Sequence, residues 1–234
     1  MGFQRARSEE QRAERRRAIL DTAAAMLAEM PVAEVSLNEL SRRVGLAKSN
    51  VLRYFESREA VLLELLDAQW RSWTDELTGA LPAAVDKDAD PYDRGAQLAT
   101  AIAESLAAHP VLCDLIAAQA AVLERNISTE AVAAFKRTAI DDISVLAETF
   151  LAHIPELGVE DAFKFAGGML IVTGSLWVHS QPSDALLAAY EANPDLAALR
   201  LDFTGTLQEV LEVFLTGLLA RASRRASGRA GSES

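Results

Sequence analysis

Five side chains between positions 48 and 54, namely Lys48, Ser49, Asn50, Arg53 and Tyr54, carry donors suited to phosphates and base edges. Arginine pairs bidentately with guanine and asparagine with adenine in the major groove, whereas lysine, serine and tyrosine more often fix a nucleic-acid backbone. All five fall on the outer side of a short helix, roughly Lys48 to Phe55, whose inner positions are Val51 and Phe55. A solvated helix face beside a chance glycine turn is the alternative that spacing alone leaves open.

The elements that must hold such a surface are punctuated clearly. Ser36 followed by Glu39 is a capping box, starting a helix whose apolar positions Leu37, Leu40 and Val44 share one side. Gly45 ends that helix, because glycine accepts the left-handed conformation just past a helix terminus. Two short helices joined by a glycine-containing turn form a helix-turn-helix. Ahead of them, a first helix is predicted over Glu9 to Met30, with Ile19, Thr22, Ala23, Met26, Leu27 and Met30 on one face.

The run from Gly45 to Glu59, GLAKSNVLRYFESRE, follows this first helix and resembles the DNA-binding domain of TetR-family transcriptional regulators. The likeness extends over about Glu14 to Trp70 and includes the Tyr54-Phe55 pair and the Ser57-Arg58-Glu59 start of a fourth helix. It implies that Lys48, Ser49, Asn50 and Arg53 enter the major groove and that Tyr54 touches a phosphate. Arg58, in place of the family's usual lysine, would hold the DNA backbone too, and Ser36 joins the candidate contact set. Three positions depart from the pattern. Ala47 replaces the usual Ser/Thr and loses an N-cap worth about 1 kcal/mol. Ser49 stands where glycine is frequent and Leu52 where tyrosine is frequent.

Composition narrows the rest. The chain has 234 residues, half of them hydrophobic, with one cysteine, Cys113, and a net charge of −11. It can bury a substantial core without metal or disulfide, and a reducing compartment, the cytoplasm, is expected. Net acidity argues at first against nucleic acid, but the charge is uneven. Residues 1 to 60 hold 11 Lys/Arg against 9 Asp/Glu, a balance of +2, which leaves 12 against 25, or −13, downstream. A positively biased head on an acidic body can aim one face at DNA; ordinary solvated charge is the plainer reading.

The longest uncharged apolar run, Phe165 to Val178, is shorter than the roughly 18–20 residues a bilayer requires, so no membrane partner is expected. The N-terminus has no apolar core of a signal peptide, and without export the Asn126-Ile127-Ser128 sequon is idle. The DKDAD segment opens like a calcium loop, but Pro91 and Gln97 occupy the positions that need glycine and glutamate, so it reads as a linker.

With no convincing strand pattern, the fold class is all-α: a three-helix helix-turn-helix head and a larger helical regulatory and dimerisation domain. Prolines mark boundaries between helices near Tyr92–Ala108, Val111–Glu124, Ser128–His153, Val159–Ser180 and Leu196–Ala222. The expected division is a flexible N-terminus over 1–8, the head over 9–57, the body over 58–222 and a disordered basic tail over 223–234. In regulators of the resembled family the body dimerises through its last two long helices and encloses a ligand cavity. Dimer-face candidates are Gly167, Leu170, Gly174, Leu207, Leu211, Phe214 and Leu218. Cavity candidates are Trp70, Trp73, Cys113, Gln119, Phe135, Phe150, Met169 and Trp177. For both sets, plain core packing is the competing reading.

An all-α enzyme is the rival class. His109, His153 and His179 form no Glu-x-x-His or His-Glu-x-x-His motif, and Cys113 has no basic neighbour in sequence. Gly167, Gly168 and Gly174 miss the dinucleotide spacing. No catalytic residue, metal or cofactor is expected. A helical adaptor without DNA binding leaves Lys48, Asn50, Arg53 and Tyr54 without a role. The expected function is therefore a homodimeric regulator, a repressor, that binds a palindromic double-stranded operator and answers a small-molecule effector of unknown identity.

Overall fold

The computed structural model describes residues 2–125 and 127–230, and among these there are helices and turns but no strand. The head begins with α1 (Gly2–Leu27), followed after a 3-10 turn by α2 (Leu37–Val44) and α3 (Lys48–Val51). Ile19, Ala23 and Met26 from α1, Leu40 from α2, and Val51 and Phe55 at the end of the motif are all buried. This is the apolar stripe that the 3.6-residue period selects.

The fourth helix, α4 (Arg58–Ala84), leaves the head and enters the body. At 1.5 Å per residue its 27 residues reach about 40 Å, so one rigid rod belongs to both parts. The Ser57 hydroxyl caps it by accepting from the Ala60 amide at 3.1 Å. Pro82, expected to end the helix, sits inside its last turn.

Around α4 the body places α5 (Pro91–Ala107), α6 (Pro110–Ala118), α7 (Thr129–His153) and α8 (Val159–His179), with α11 (Phe203–Ala230) lying against α5 and α8. Pro91 and Pro110 each occupy a first helical turn, where a missing amide is harmless. The core is anchored by Trp73, whose Nε1 donates to Ser105 Oγ at 3.0 Å, and by the edge-to-face pair Phe150 and Phe165 at 5.3 Å.

Five boundaries differ from the sequence expectation. Helix α3 ends at Val51 and not near Phe55, the chain passing into a turn over residues 52–54. Helix α1 starts at Gly2 rather than Glu9, since no proline interrupts it; Met1 lies outside the described residues. The helix expected over Val111–Glu124 ends at Ala118 and gives way to a π-helical turn, Gln119–Leu123. Leu196–Ala222 is not one helix. Asp184–Ala192 (α9) and Pro194–Ala197 (α10) are separate, and the last helix starts near Asp202, whose carboxylate accepts from the Gly205 amide at 2.7 Å. That helix runs on to Ala230 where a disordered tail was expected from residue 223, because its arginines and alanines favour helix; residues 231–234 lie outside the described residues.

Candidate nucleic-acid interface

The turn that sets the geometry of the motif is built as its residue types require. Ser36 Oγ accepts from the Glu39 amide at 3.2 Å, and Gly45 takes φ 74°, with its own amide and that of Leu46 returning to Arg42 and Ser41 carbonyls. Only half of the capping box forms. Glu39 turns its carboxylate to Arg42, at 2.5 and 2.8 Å, and Arg43, at 2.9 Å. These hydrogen bonds, Arg42 first, lower its pKa to about 2. Ala47 starts α3 without a side-chain cap.

Beyond that turn, Lys48, Ser49, Asn50 and Arg53 are exposed, and their side chains make no hydrogen bond or ion pair with another described residue. Leu52, 42% exposed, lies on the outer surface of the same turn. Val51 and Phe55 point into the head, so the outer row is held rigidly from behind.

Two arginines fix this row from within. Arg16 of α1 forms a bidentate pair with Glu64 of α4, its Nη1 donates to the Tyr54 carbonyl at 2.7 Å, and its guanidinium lies 4.2 Å over the Phe55 ring. Arg58 is turned inward, donating to the Val35 carbonyl at 2.8 Å beside the Ser36 cap. Its guanidinium thus positions α2 and is not displayed for a phosphate.

Behind the head, α4, α6, α7 and α8 surround a small chamber of about 40 Å³ whose walls include Asp67, Trp70, Gln119, Phe135, Asp142 and Leu170. It shares Asp67 and Phe135 with a cleft of about 380 Å³ that borders Arg16, Tyr54 and Glu64.

Profiles of known families cover most of the chain. Residues 19–65 match "Bacterial regulatory proteins, tetR family", and residues 67–222 match "Tetracyclin repressor-like, C-terminal domain". The chain belongs to the TetR family of transcriptional regulators. It is therefore a TetR-family regulator with a DNA-binding helix-turn-helix.

Among curated TetR-family relatives, the HTH-type transcriptional regulator EthR of Mycobacterium tuberculosis is 43% identical over 54 residues, 23% of this chain and 25% of that protein. The match thus spans a quarter of that relative's length. Solved structures share the fold at low identity. FadR from Bacillus halodurans is 15% identical with a TM-score of 0.52, covering 87% of this chain and 96% of its own. FadR from Bacillus subtilis, in complex with stearoyl-CoA, is 16% identical with a TM-score of 0.53, over 86% and 97% of the two chains. A TetR regulator from Rhodococcus sp. RHA1 gives 14% and 0.54, over 88% and 96%.

The chamber sorts the sequence candidates for the body of this TetR regulator. Trp70, Gln119 and Phe135 line it, as does Leu170, a dimer-face candidate by sequence. Trp73, Cys113, Phe150 and Met169 are wholly buried core, and Trp177 packs edge-to-face on Phe203 at 5.0 Å. Asp67 and Asp142 were missed, because a carboxylate in a helical sequence reads as solvated surface.

The dimer-face candidates are likewise divided. Leu207, Leu211 and Leu218 are buried within the chain, on the stripe with which α11 meets α5 and α8. Gly174 closes α8 onto α6: a methyl there would lie 3.3 Å from the Ala117 Cα. Phe214 is half-buried over Gly168, 5.5 Å from Phe165. Gly167 alone of the set stays open, with no described atom within 4 Å of the place a methyl would take.

Proposed function

We propose that this TetR-family chain is a homodimeric repressor that binds a palindromic operator and is released by a small molecule entering between head and body. On this reading the head spans 9–57 and the body 58–222, and the protein works where its operator DNA is, in the cytoplasm. Ser36, Lys48, Ser49, Asn50, Arg53 and Tyr54 contact DNA, and Arg58 positions the motif.

One observation carries the effector part. Each of three chamber walls also carries a latch to the head. Glu64 of α4 holds Arg16; Asp114 of α6 accepts from the Val32 amide at 2.9 Å; the Ser128 amide, at the start of α7, donates to Glu56 at 2.8 Å. A ligand that spreads these walls has different affinities for the two head orientations, which is the condition for shifting operator affinity.

Dimerisation is supported by exposed apolar residues on α8, Phe163, Ile171 and Val178, the second of them 77% exposed, and by exposed Val213 on α11, the helix that packs against α8. They replace the buried leucines as the face for a second copy. Two heads of a dimer reach half-sites about 34–36 Å apart, or a multiple of this.

Selection of bound genomic fragments by purified protein at two salt concentrations tests the operator and dimer parts of this reading. Fragments sharing an inverted repeat, with affinity falling as salt rises, are expected. A monomer in solution that enriches no common sequence overturns it.

A further inference from the structure

The walls of the effector chamber also constrain its occupant. The charged ones are two carboxylates, Asp67 from α4 and Asp142 from α7, set beside Trp70 and Phe135. Among the described residues, no lysine or arginine lines the chamber. The cation that meets both carboxylates, Arg71, lies 3.0 Å from Asp67 and 3.5 Å from Asp142 with its side chain 57% exposed. Exposed pairs of this kind are weak and screened by salt, so another cation can take the place of Arg71.

A second observation is independent of the acids. Trp70 is 6% exposed and Thr74, one turn along α4, is 5% exposed, yet neither Trp70 Nε1 nor Thr74 Oγ1 has a hydrogen-bond partner among the described residues. Both residues line an adjoining hollow of about 220 Å³ that Arg71, Asp75 and Asp142 also border. Buried donors are nearly always paired, and an unpaired one beside a cavity is satisfied when an occupant supplies the acceptor.

Taking the chamber as the effector site, on which this step rests, we propose that the effector is an amphiphilic organic cation. Its apolar body extends from the small chamber into the adjoining hollow, which supplies most of the room, and packs on Trp70 and Phe135; its ammonium group replaces Arg71 on Asp67 and Asp142, and a polar atom accepts from Trp70 Nε1. Aromatic faces beside carboxylates are the environment that stabilises a weakly hydrated cation. Burial raises the Asp67 carboxyl above its ordinary pKa; Arg71 offsets part of this and Asp142 adds to it, so the site is short of positive charge. An acyl-CoA, by contrast, brings phosphates to walls whose one cation among the described residues, Arg71, is shared between Asp67 and Asp142. The basic groups nearby are already engaged, Arg16 with Glu64 and Lys136 with Glu124 at 2.6 Å.

The test titrates full-length protein with decyltrimethylammonium, decanoate and decanol, all below their aggregation concentrations, followed by calorimetry and tryptophan fluorescence. Saturable binding of the cation is expected, about tenfold or more tighter than the other two, and weakened about tenfold by Asp67→Asn or Asp142→Asn. Ala139→Leu, which narrows the chamber without altering its charge, should weaken binding strongly while leaving the melting curve of the unliganded protein close to wild type. Decanoate or decanol binding as tightly as the cation, or Asn variants binding it like wild type, overturns the cationic assignment and leaves the cavity reading standing. Binding of none of the three overturns both.

Discussion

Arg16 and Glu64 form a two-pronged ion pair that joins α1 to α4 behind the reading helix. Because the same guanidinium donates to the Tyr54 carbonyl and covers the Phe55 ring, any shift of α4 at Glu64 is felt where the turn proposed to face DNA ends. Interfaces of this kind switch between discrete packings and do not deform continuously.

Arg16→Ala should therefore weaken DNA binding although Arg16 is engaged within the protein, by Glu64, the Tyr54 carbonyl and the Phe55 ring. The pair is partly exposed, so the ion pair, the ring contact and the carbonyl bond together contribute about 2 kcal/mol. At this chain length that is a fall in Tm of about 4–8 °C. Arg16→Lys keeps the charge but not the fork and should fall between. Thermal melts and operator titrations check both; full operator affinity in Arg16→Ala would remove the latch from the mechanism.

At the surface, Arg53→Ala and Tyr54→Phe should separate reading from holding. The Arg53 side chain makes no bond to another described residue, so its removal should cost about 1–3 kcal/mol on the best operator and relax preference at one base pair. Tyr54 is half-buried, and losing its hydroxyl should weaken all sequences alike. Lys48→Ala should reduce the salt slope by about 1. Competition among operator variants at two salt concentrations distinguishes these outcomes, and an unchanged base preference in Arg53→Ala would mean that α3 is not the reading helix.

Cys113 should be chemically silent in the folded protein. Burial, with a smaller contribution from Asp114, pushes its thiol up to about 12, and its Sγ donates to the Leu106 carbonyl at 3.3 Å. Only the thiolate is nucleophilic. A colourimetric disulfide reagent at pH 8 should label unfolded protein completely and native protein at the rate of global unfolding; prompt native labelling contradicts this.

What the sequence made legible was local. The Ser36 cap and the Gly45 turn act within four residues, and each side chain performs the task its type suggests. Arg16 was illegible because its partner Glu64 lies 48 positions away. The α11 stripe was visible as a stripe, but periodicity says only that a neighbour exists. Here the neighbours are α5 and α8 of the same chain, which moved Leu207, Leu211 and Leu218 from the dimer face to the core. Asp67 and Asp142 come together only through the packing of α4 on α7, so no spacing rule could have paired them.

Asp67→Asn should stabilise the unliganded protein near neutral pH. Its folded pKa is raised, by burial first, with Asp142 and Glu64 adding and Arg71 opposing. A raised carboxylate favours folding fully only below its unfolded pKa, and that contribution is lost as pH rises through the folded value. At pH 7 the ionised group is thus a net burden, and an amide of the same shape removes it. Melts at pH 7 should give a higher Tm for Asp67→Asn, and the gain should shrink as pH falls toward the ordinary carboxylate range, where wild-type Asp67 is protonated as well. A lower Tm at pH 7 would mean that Arg71 compensates Asp67 fully and that the chamber has no charge deficit to offer a ligand.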